Sequence, residues 1–309
     1  MSKARAVVFA YHDVGVRCLK TLLSGDIEVP LVVTVADDPH ETQWYASVAA
    51  TAADYGLEVI APADADSPEL ERTVRALAPD FIFSFYYRAM LGPPLLGAAR
   101  RGALNMHGSL LPKYRGRAPV NWAILRGERT TGATLHYMVE RADAGDIVDQ
   151  LAVPILEDDD AREVFAKVTV AAETILARSL EPLIQGRAPR RAQPIEPGQY
   201  FGRRRPEDGR IDWHWPARQI HDLVRAVAPP FPGAFASVGA ERWQIHRTRL
   251  TGERDASGGP PRLYGDAGRC LAACGDGQVL RLLAGADARG PLELERLARE
   301  LQRTPLLLG

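Results

Sequence analysis

The stretch Ala4-Arg5-Ala6-Val7-Val8-Phe9-Ala10 is followed by Val14, Cys18, Leu19, Leu22 and Leu23 at helical spacing up to Ser24, and then by Val29-Pro30-Leu31-Val32-Val33-Thr34-Val35. Near-continuous apolar runs read as strands buried on both faces, and the segment between them reads as an amphipathic helix. A β-α-β opening of this kind calls for a parallel sheet. Working outward, the spacing predicts a helix across Gln43–Tyr55, a strand near Leu57–Ile60, a helix near Ser67–Leu77 and a strand at Phe81–Phe85. Sheet segments follow at Gly102–His107, Thr131–Met138 and Ile147–Ile155, and a long helix runs from about Asp160 to Gln185. The predicted class is α/β, a Rossmann-like, mostly parallel sheet with helices on both faces. Ligands of such sheets bind beyond the carboxyl ends of the strands.

Between Gly186 and Pro206 stand Pro189, Pro194, Pro197, Gly198, Gly202 and Pro206, a density of breakers that marks a boundary. The expected division is a catalytic domain over 1–188, a linker over 189–206 and a smaller domain over 207–309. The last part carries short apolar segments, Ala234–Val238, Arg242–His246, Arg269–Ala273 and Val279–Leu283, separated by glycine-rich turns and closed by a helix over Pro291–Leu301. That pattern predicts a β-rich, OB-like barrel domain.

Composition narrows the function. The 309 residues are 46% hydrophobic and 25% charged, with a net charge of -1, the balance of a soluble globular enzyme without a basic field for nucleic acid. No apolar run approaches the roughly 18 to 20 residues of a membrane span, and the start runs directly into a strand pattern. With the odd set Cys18, Cys270 and Cys274, this points to a reduced cytoplasm. Cys270 and Cys274 lack a second ligand pair, so no metal is expected. The first β-α turn, Tyr11-His12-Asp13-Val14-Gly15, has one glycine where a dinucleotide fingerprint places three, which disfavours NAD.

The chemistry concentrates in two stretches. In LNMHGSLLPKYRGRAP (Leu104–Pro119), strand alternation puts Asn105 and His107 on one side of a strand end, and Gly108, Pro112 and Gly116 turn the chain beyond it. Alone, an Asn-x-His pair reads first as a strand-end histidine satisfied by a backbone carbonyl. In LHYMVERADAGDIV (Leu135–Val148), Asp143 sits between small residues, as an acid entering a crowded site would, or as a turn-capping aspartate.

These two motifs in this order resemble the folate-dependent formyltransferases that act on methionyl-tRNA, glycinamide ribonucleotide and amino sugars. FAYHDVG, FSFYYR, HGSLLPKYRGRAPVNW, RADAGDIV, FGRR and VRAVAPPFPGAF together are similar to the formyltransferase half of the bifunctional UDP-4-amino-4-deoxy-L-arabinose enzymes of polymyxin resistance and lipid A modification. The likeness spans essentially the whole chain. It implies N10-formyltetrahydrofolate as co-substrate, with Asn105, His107 and Asp143 as catalytic residues. Attack of a neutral amine on the formyl carbon puts negative charge on oxygen, which an amide N–H and an imidazolium stabilise. Asp143 then tunes His107, and is a candidate acceptor for the proton that the amine loses, directly or through water. Folate contacts are implied at Ala89, Met90, Leu91, Arg117, Val139, Glu140, Arg141, Ala142 and Asp143. Met90 and Leu91 read alone as plain core.

Candidate acceptor contacts are Tyr11, Lys113, Tyr114, Arg115, Arg203 and Arg204. Lys113 is one of only four lysines among 38 basic residues, and the Arg203-Arg204 pair could fork onto a diphosphate or be solvated surface. The segment Ala36-Asp37-Asp38-Pro39-His40-Glu41-Thr42 is acidic, which argues against tRNA, and the hundred or so residues past the catalytic part argue against glycinamide ribonucleotide. The expected acceptor is therefore the 4-amine of a UDP-4-amino-4-deoxy-L-arabinose-like nucleotide sugar, with a dTDP-linked amino sugar or methionyl-tRNA as alternatives. A formyltetrahydrofolate hydrolase or a binding module is the reading from another class. No second glycine-rich fingerprint follows, so the expected partner is a separate or fused UDP-glucuronate decarboxylase.

Overall fold

A computed structural model describes residues 3–36, 43–196, 200–239 and 241–308. The chain divides into two compact units. The first takes 1–119, 130–154 and 166–202; the second takes 120–129, 155–165 and 203–309. The change-over falls between Gly202 and Arg203, and the second unit also draws in two earlier segments that show no breaker pattern.

In the first unit, strands β1 (Ala4–Ala10), β2 (Ile27–Val33), β3 (Val59–Ile60), β4 (Phe81–Phe85) and β5 (Gly102–His107) form the parallel part of one sheet. A two-residue strand, β6 (Arg115–Gly116), follows in the loop. Then β7 (Thr130–Tyr137) and β8 (Ile147–Pro154) complete the order β3-β2-β1-β4-β5-β7-β8. β7 runs antiparallel to β5 and β8 antiparallel to β7; the turn between β7 and β8 holds no crossover helix, as an antiparallel pair allows.

Helices cover both faces. One face of the sheet offers Val7, Phe9, Leu31, Val33, Ile82 and Ala103 to Leu70 and Val74 of the helix Pro68–Ala76, and to Leu91 and Leu95. On the alternate register of β4, the rings of Phe81, Phe83 and Phe85 stand 5.7 and 5.5 Å apart. There the helix His12–Ser24 meets the long helix Ala161–Ile184 through a double Arg17–Glu173 bond and close contact of Gly25 with Leu180. The helix expected across Gln43–Tyr55 begins only at Val48, since the Ser47 hydroxyl accepts the Ala50 N–H as its N-cap while Trp44 and Tyr45 join an aromatic cluster.

Of the stretch 189–206 expected as a linker, the described residues up to Gly202 belong to the first unit, and the rest to the second. A ninth strand, β9 (Tyr200–Phe201), pairs in parallel with β6, Arg191 bridges Ile147, and Gln193 holds the turn after β7. Breakers prevented regular structure there without preventing specific hydrogen bonds.

The second unit is an antiparallel half-barrel. Its strands β10 (Ala234–Val238), β11 (Glu241–Arg254), β12 (Arg262–Asp266), β13 (Arg269–Ala273), β14 (Gln278–Asp287), β15 (Gly290–Pro291) and β16 (Leu306–Leu307) include the path β10-β11-β14-β13-β12-β16, with β15 on β14. Pairing of β15 delays the last helix to Leu294–Arg303. That helix approaches so closely that a side chain at Gly265 would collide with the Ala298 carbonyl. Cys18, Cys270 and Cys274 are free and buried. Among the described residues no helix is long and apolar enough to cross a membrane.

Candidate active site

The site is built at the carboxyl end of β5. Register places Asn105 directly opposite His136 of the antiparallel β7, so their side chains share one face. The Asn105 amide nitrogen lies 3.1 Å from His136 Nε2 and 3.4 Å from Asp143 Oδ1. His136 Nδ1 donates to its neighbour's carbonyl at Tyr137, 2.8 Å away, and its Nε2 faces Asn105 and the Asp143 Oδ1, the latter 3.6 Å away. Two residues along, the His107 Nε2–H donates to the Tyr114 carbonyl at 2.9 Å and turns Nδ1 toward Asp143 Oδ1, 3.6 Å away.

Asp143 reaches this point by an unusual turn. Its φ of 51° is left-handed, and at Gly145 any Cβ would collide with the Tyr137 carbonyl. Gln193 donates to the Asp143 and Gly145 carbonyls at 3.1 and 2.6 Å, and the Tyr137 N–H donates to the Asp146 carbonyl at 2.9 Å. The carboxylate does not cap its own turn. Oδ2 accepts the Gly116 N–H at 2.9 Å, and Oδ1 faces nitrogens of Asn105, His107 and His136. Burial alone would raise its pKa. The charge of His107 and the hydrogen bond and charge of His136, with the Gly116 N–H, outweigh that and hold the carboxyl well below the ordinary range. Substituting Gly145→Ala is expected to displace this turn and destabilise the chain by about 1–3 kcal/mol, measurable by denaturant unfolding.

The loop after β5 is braced from behind. Thr134 Oγ1 donates to the Ser109 carbonyl at 2.6 Å and accepts from the Leu111 N–H at 3.1 Å, while the Gln150 amide reaches the Leu111 carbonyl at 2.9 Å. Gly116, at φ 98°, has no room for a side chain beside the Phe201 carbonyl, and the Tyr114 and Phe201 rings lie 5.0 Å apart.

The other predicted residues are placed unevenly. Leu91 is buried in the core cluster, against which Met138, the residue before Val139, packs. Met90 and Val139, by contrast, are 55% and 46% exposed. Ala89, Glu140, Arg141, Lys113 and Arg117 are also exposed, and Ala142 is half-buried. The Arg117 N–H donates to the Phe201 carbonyl. Tyr114 and Arg115 are buried. Tyr11 is buried at the end of β1, its hydroxyl 2.5 Å from that of Tyr45 and its ring 4.4 Å below the Arg88 guanidinium. Arg203 is exposed; Arg204 is half-buried over the Trp122 ring, both in the second unit. The segment 37–42 lies outside the described residues.

Sequence reasoning assigned no role to His136 or Gln193. His136 was visible as part of LHYMVE, yet only the antiparallel pairing of β7 sets it beside Asn105. Among the described residues no cluster of histidine, cysteine or acidic side chains is arranged to hold a metal ion.

Residues 4–180 match the formyl transferase family, and residues 204–300 match the formyl transferase C-terminal domain. The chain belongs to the formyl transferase family. It is accordingly a one-carbon group transferase. Solved structures that share the fold include the N-formyltransferase from Helicobacter canadensis in complex with folinic acid and dTDP-3-aminofucose. That match is 20% identical, with a TM-score of 0.69, over 90% of this chain and 98% of the other. A 4-N formyltransferase from Francisella tularensis matches at 21% identity and TM-score 0.61, over 76% and 93%. The glycinamide ribonucleotide transformylase 1 of Symbiobacterium toebii matches at 23% and 0.54, over 63% and 95%.

Proposed function

We propose that this formyl transferase moves the formyl group of N10-formyltetrahydrofolate onto the 4-amine of a UDP-4-amino-4-deoxy-L-arabinose-like nucleotide sugar. One observation carries the transfer: Asn105 and His107 of β5 and the distant Asp143 meet within hydrogen-bonding or near-bonding distance. The amide N–H of Asn105 and the ring N–H of His107 supply donors for the negative charge that develops on the formyl oxygen. Asp143 Oδ1 lies 3.6 Å from the His107 Nδ1 that would carry the second donor. Its carboxylate is the candidate acceptor for the proton that the amine loses, directly or through water. The exposed apolar Met90 and Val139 suit the faces of a flat pterin.

The acceptor rests on the motif likeness across the chain and on fold neighbours that handle amino sugars; the 4-N formyltransferase favours a 4-amine and the dTDP-3-aminofucose complex keeps the dTDP alternative in view. On this reading the chain acts beside a separate or fused UDP-glucuronate decarboxylase in the cytoplasm. The test incubates the chain with N10-formyltetrahydrofolate and UDP-4-amino-4-deoxy-L-arabinose and follows folate release with the mass of the sugar. A gain of one formyl group supports transfer, whereas folate release with an unchanged sugar identifies a hydrolase. The double variant Arg203→Ala, Arg204→Ala is expected to raise KM for the nucleotide sugar about tenfold or more, the loss of a charge-assisted contact, with little change for folate. An unchanged KM removes both from the acceptor site.

A further inference from the structure

Arg115 is anomalous. It is 3% exposed, yet its Nε and Nη1 have no hydrogen-bond partner among the described residues. Guanidinium groups are rarely buried without partners, because the charge gives up water and gains nothing in return. The same chain shows the ordinary solution at Arg225, which is 6% exposed and bound to Asp222 at 2.8 and 2.9 Å and to the Asp159 carbonyl at 3.1 Å. Arg115 is therefore left short of partners at one particular place.

That place adjoins the catalytic trio. Arg115 is held by pairing of β6 with β9, opposite Tyr200, and the N–H of the next residue, Gly116, donates to Asp143. Burial lowers the Arg115 pKa first, and the neighbouring Arg141 charge lowers it further, against opposing pulls from Asp143 and Tyr200. Asp143 is the one carboxylate among these neighbours, and both its oxygens are already engaged with Gly116, Asn105 and the two histidines. A surplus of positive charge remains, with donors in a planar fork.

We infer that Arg115 anchors an oxyanion subsite beside Asp143, which takes a phosphate or carboxylate group of a bound reactant. The inference deepens the formyl-transfer reading and rests on it only for the two sources of such a group, the diphosphate of a nucleotide sugar and the carboxylates of a folate tail. A fork of N–H donors matches either group in two parallel bonds. Until the anion arrives, the unpaired guanidinium costs the fold stability, and the incoming group removes that cost.

The experiment compares wild type with Arg115→Met and Arg115→Lys by thermal unfolding, alone and with inorganic phosphate, UDP or folinic acid, and titrates the same ligands calorimetrically. Arg115→Met removes a buried charge and keeps the volume, so its melting temperature without ligand should equal or exceed that of wild type. Its stabilisation by one ligand should be lost, with the dissociation constant for that ligand raised about ten- to hundred-fold, and Arg115→Lys should fall between. Loss with UDP and phosphate assigns the nucleotide; loss with folinic acid assigns the folate tail. A lower melting temperature for Arg115→Met without ligand would show an internal structural role and overturn the inference. So would ligand responses that match wild type, or a wild type that responds to none of the probes. These readouts need no turnover. A chain that binds through Arg115 but formylates no sugar defeats the acceptor assignment and leaves the subsite standing, and normal sugar formylation by Arg115→Met with unchanged KM values does the reverse.

Discussion

Asp143→Asn is expected to lower kcat by about a hundred- to ten-thousand-fold, the range for losing a positioned acid–base partner. The substitution keeps the shape and removes the charge. An asparagine oxygen can still accept one of the bonds from Gly116 and Asn105, but its NH2 group must then face a donor, and the charge that balances His107 and His136 is gone. Steady-state kinetics with both substrates saturating measures the effect, and activity within a few-fold of wild type would remove Asp143 from the chemistry. Stability should change too, with a definite sign. The folded carboxyl is held below its ordinary value of 3.8, so its contribution is fully present above that pH and is lost as pH falls through the depressed folded value. Asp143→Asn should thus be the less stable protein at pH 7. The gap should close below about pH 4, as seen in urea midpoints across that range.

His107→Ala should reduce kcat by a comparable factor, about a hundred- to ten-thousand-fold. The ring turns Nδ1 toward Asp143 while Nε2 is fixed on the Tyr114 carbonyl, so truncation removes a group whose direction the loop has already set. It also removes the ring's bond to that carbonyl, at about 1–3 kcal/mol. Activity must therefore be compared on protein shown by circular dichroism to be folded. A folded His107→Ala variant with near-normal kcat would end the proposed mechanism.

The local code of the sheet was legible. Phe81–Phe85, Gly102–His107 and Ala234–Val238 begin and end where apolar alternation and breakers place them. Ends governed by contacts were not: the helix expected from Gln43 starts at Val48 because a serine cap and an aromatic cluster compete for the preceding residues. The stretch over 189–206 misled for a related reason. Proline and glycine report what a backbone will not do, and they are silent about Gln193 clasping a turn or Tyr200–Phe201 pairing with the catalytic loop.

By itself the sequence determined the α/β class, the β-rich second part and the residue types needed for acyl transfer, since those follow from periodicity and from side-chain chemistry along the chain. Only the tertiary structure decided that His136 stands beside Asn105, that the Asp143 carboxylate is spent on Gly116 and the histidines, and that the Nε and Nη1 of buried Arg115 lack partners among the described residues. Those facts depend on strand register and on loops meeting from distant positions, and no local propensity encodes which N–H a carboxylate will find.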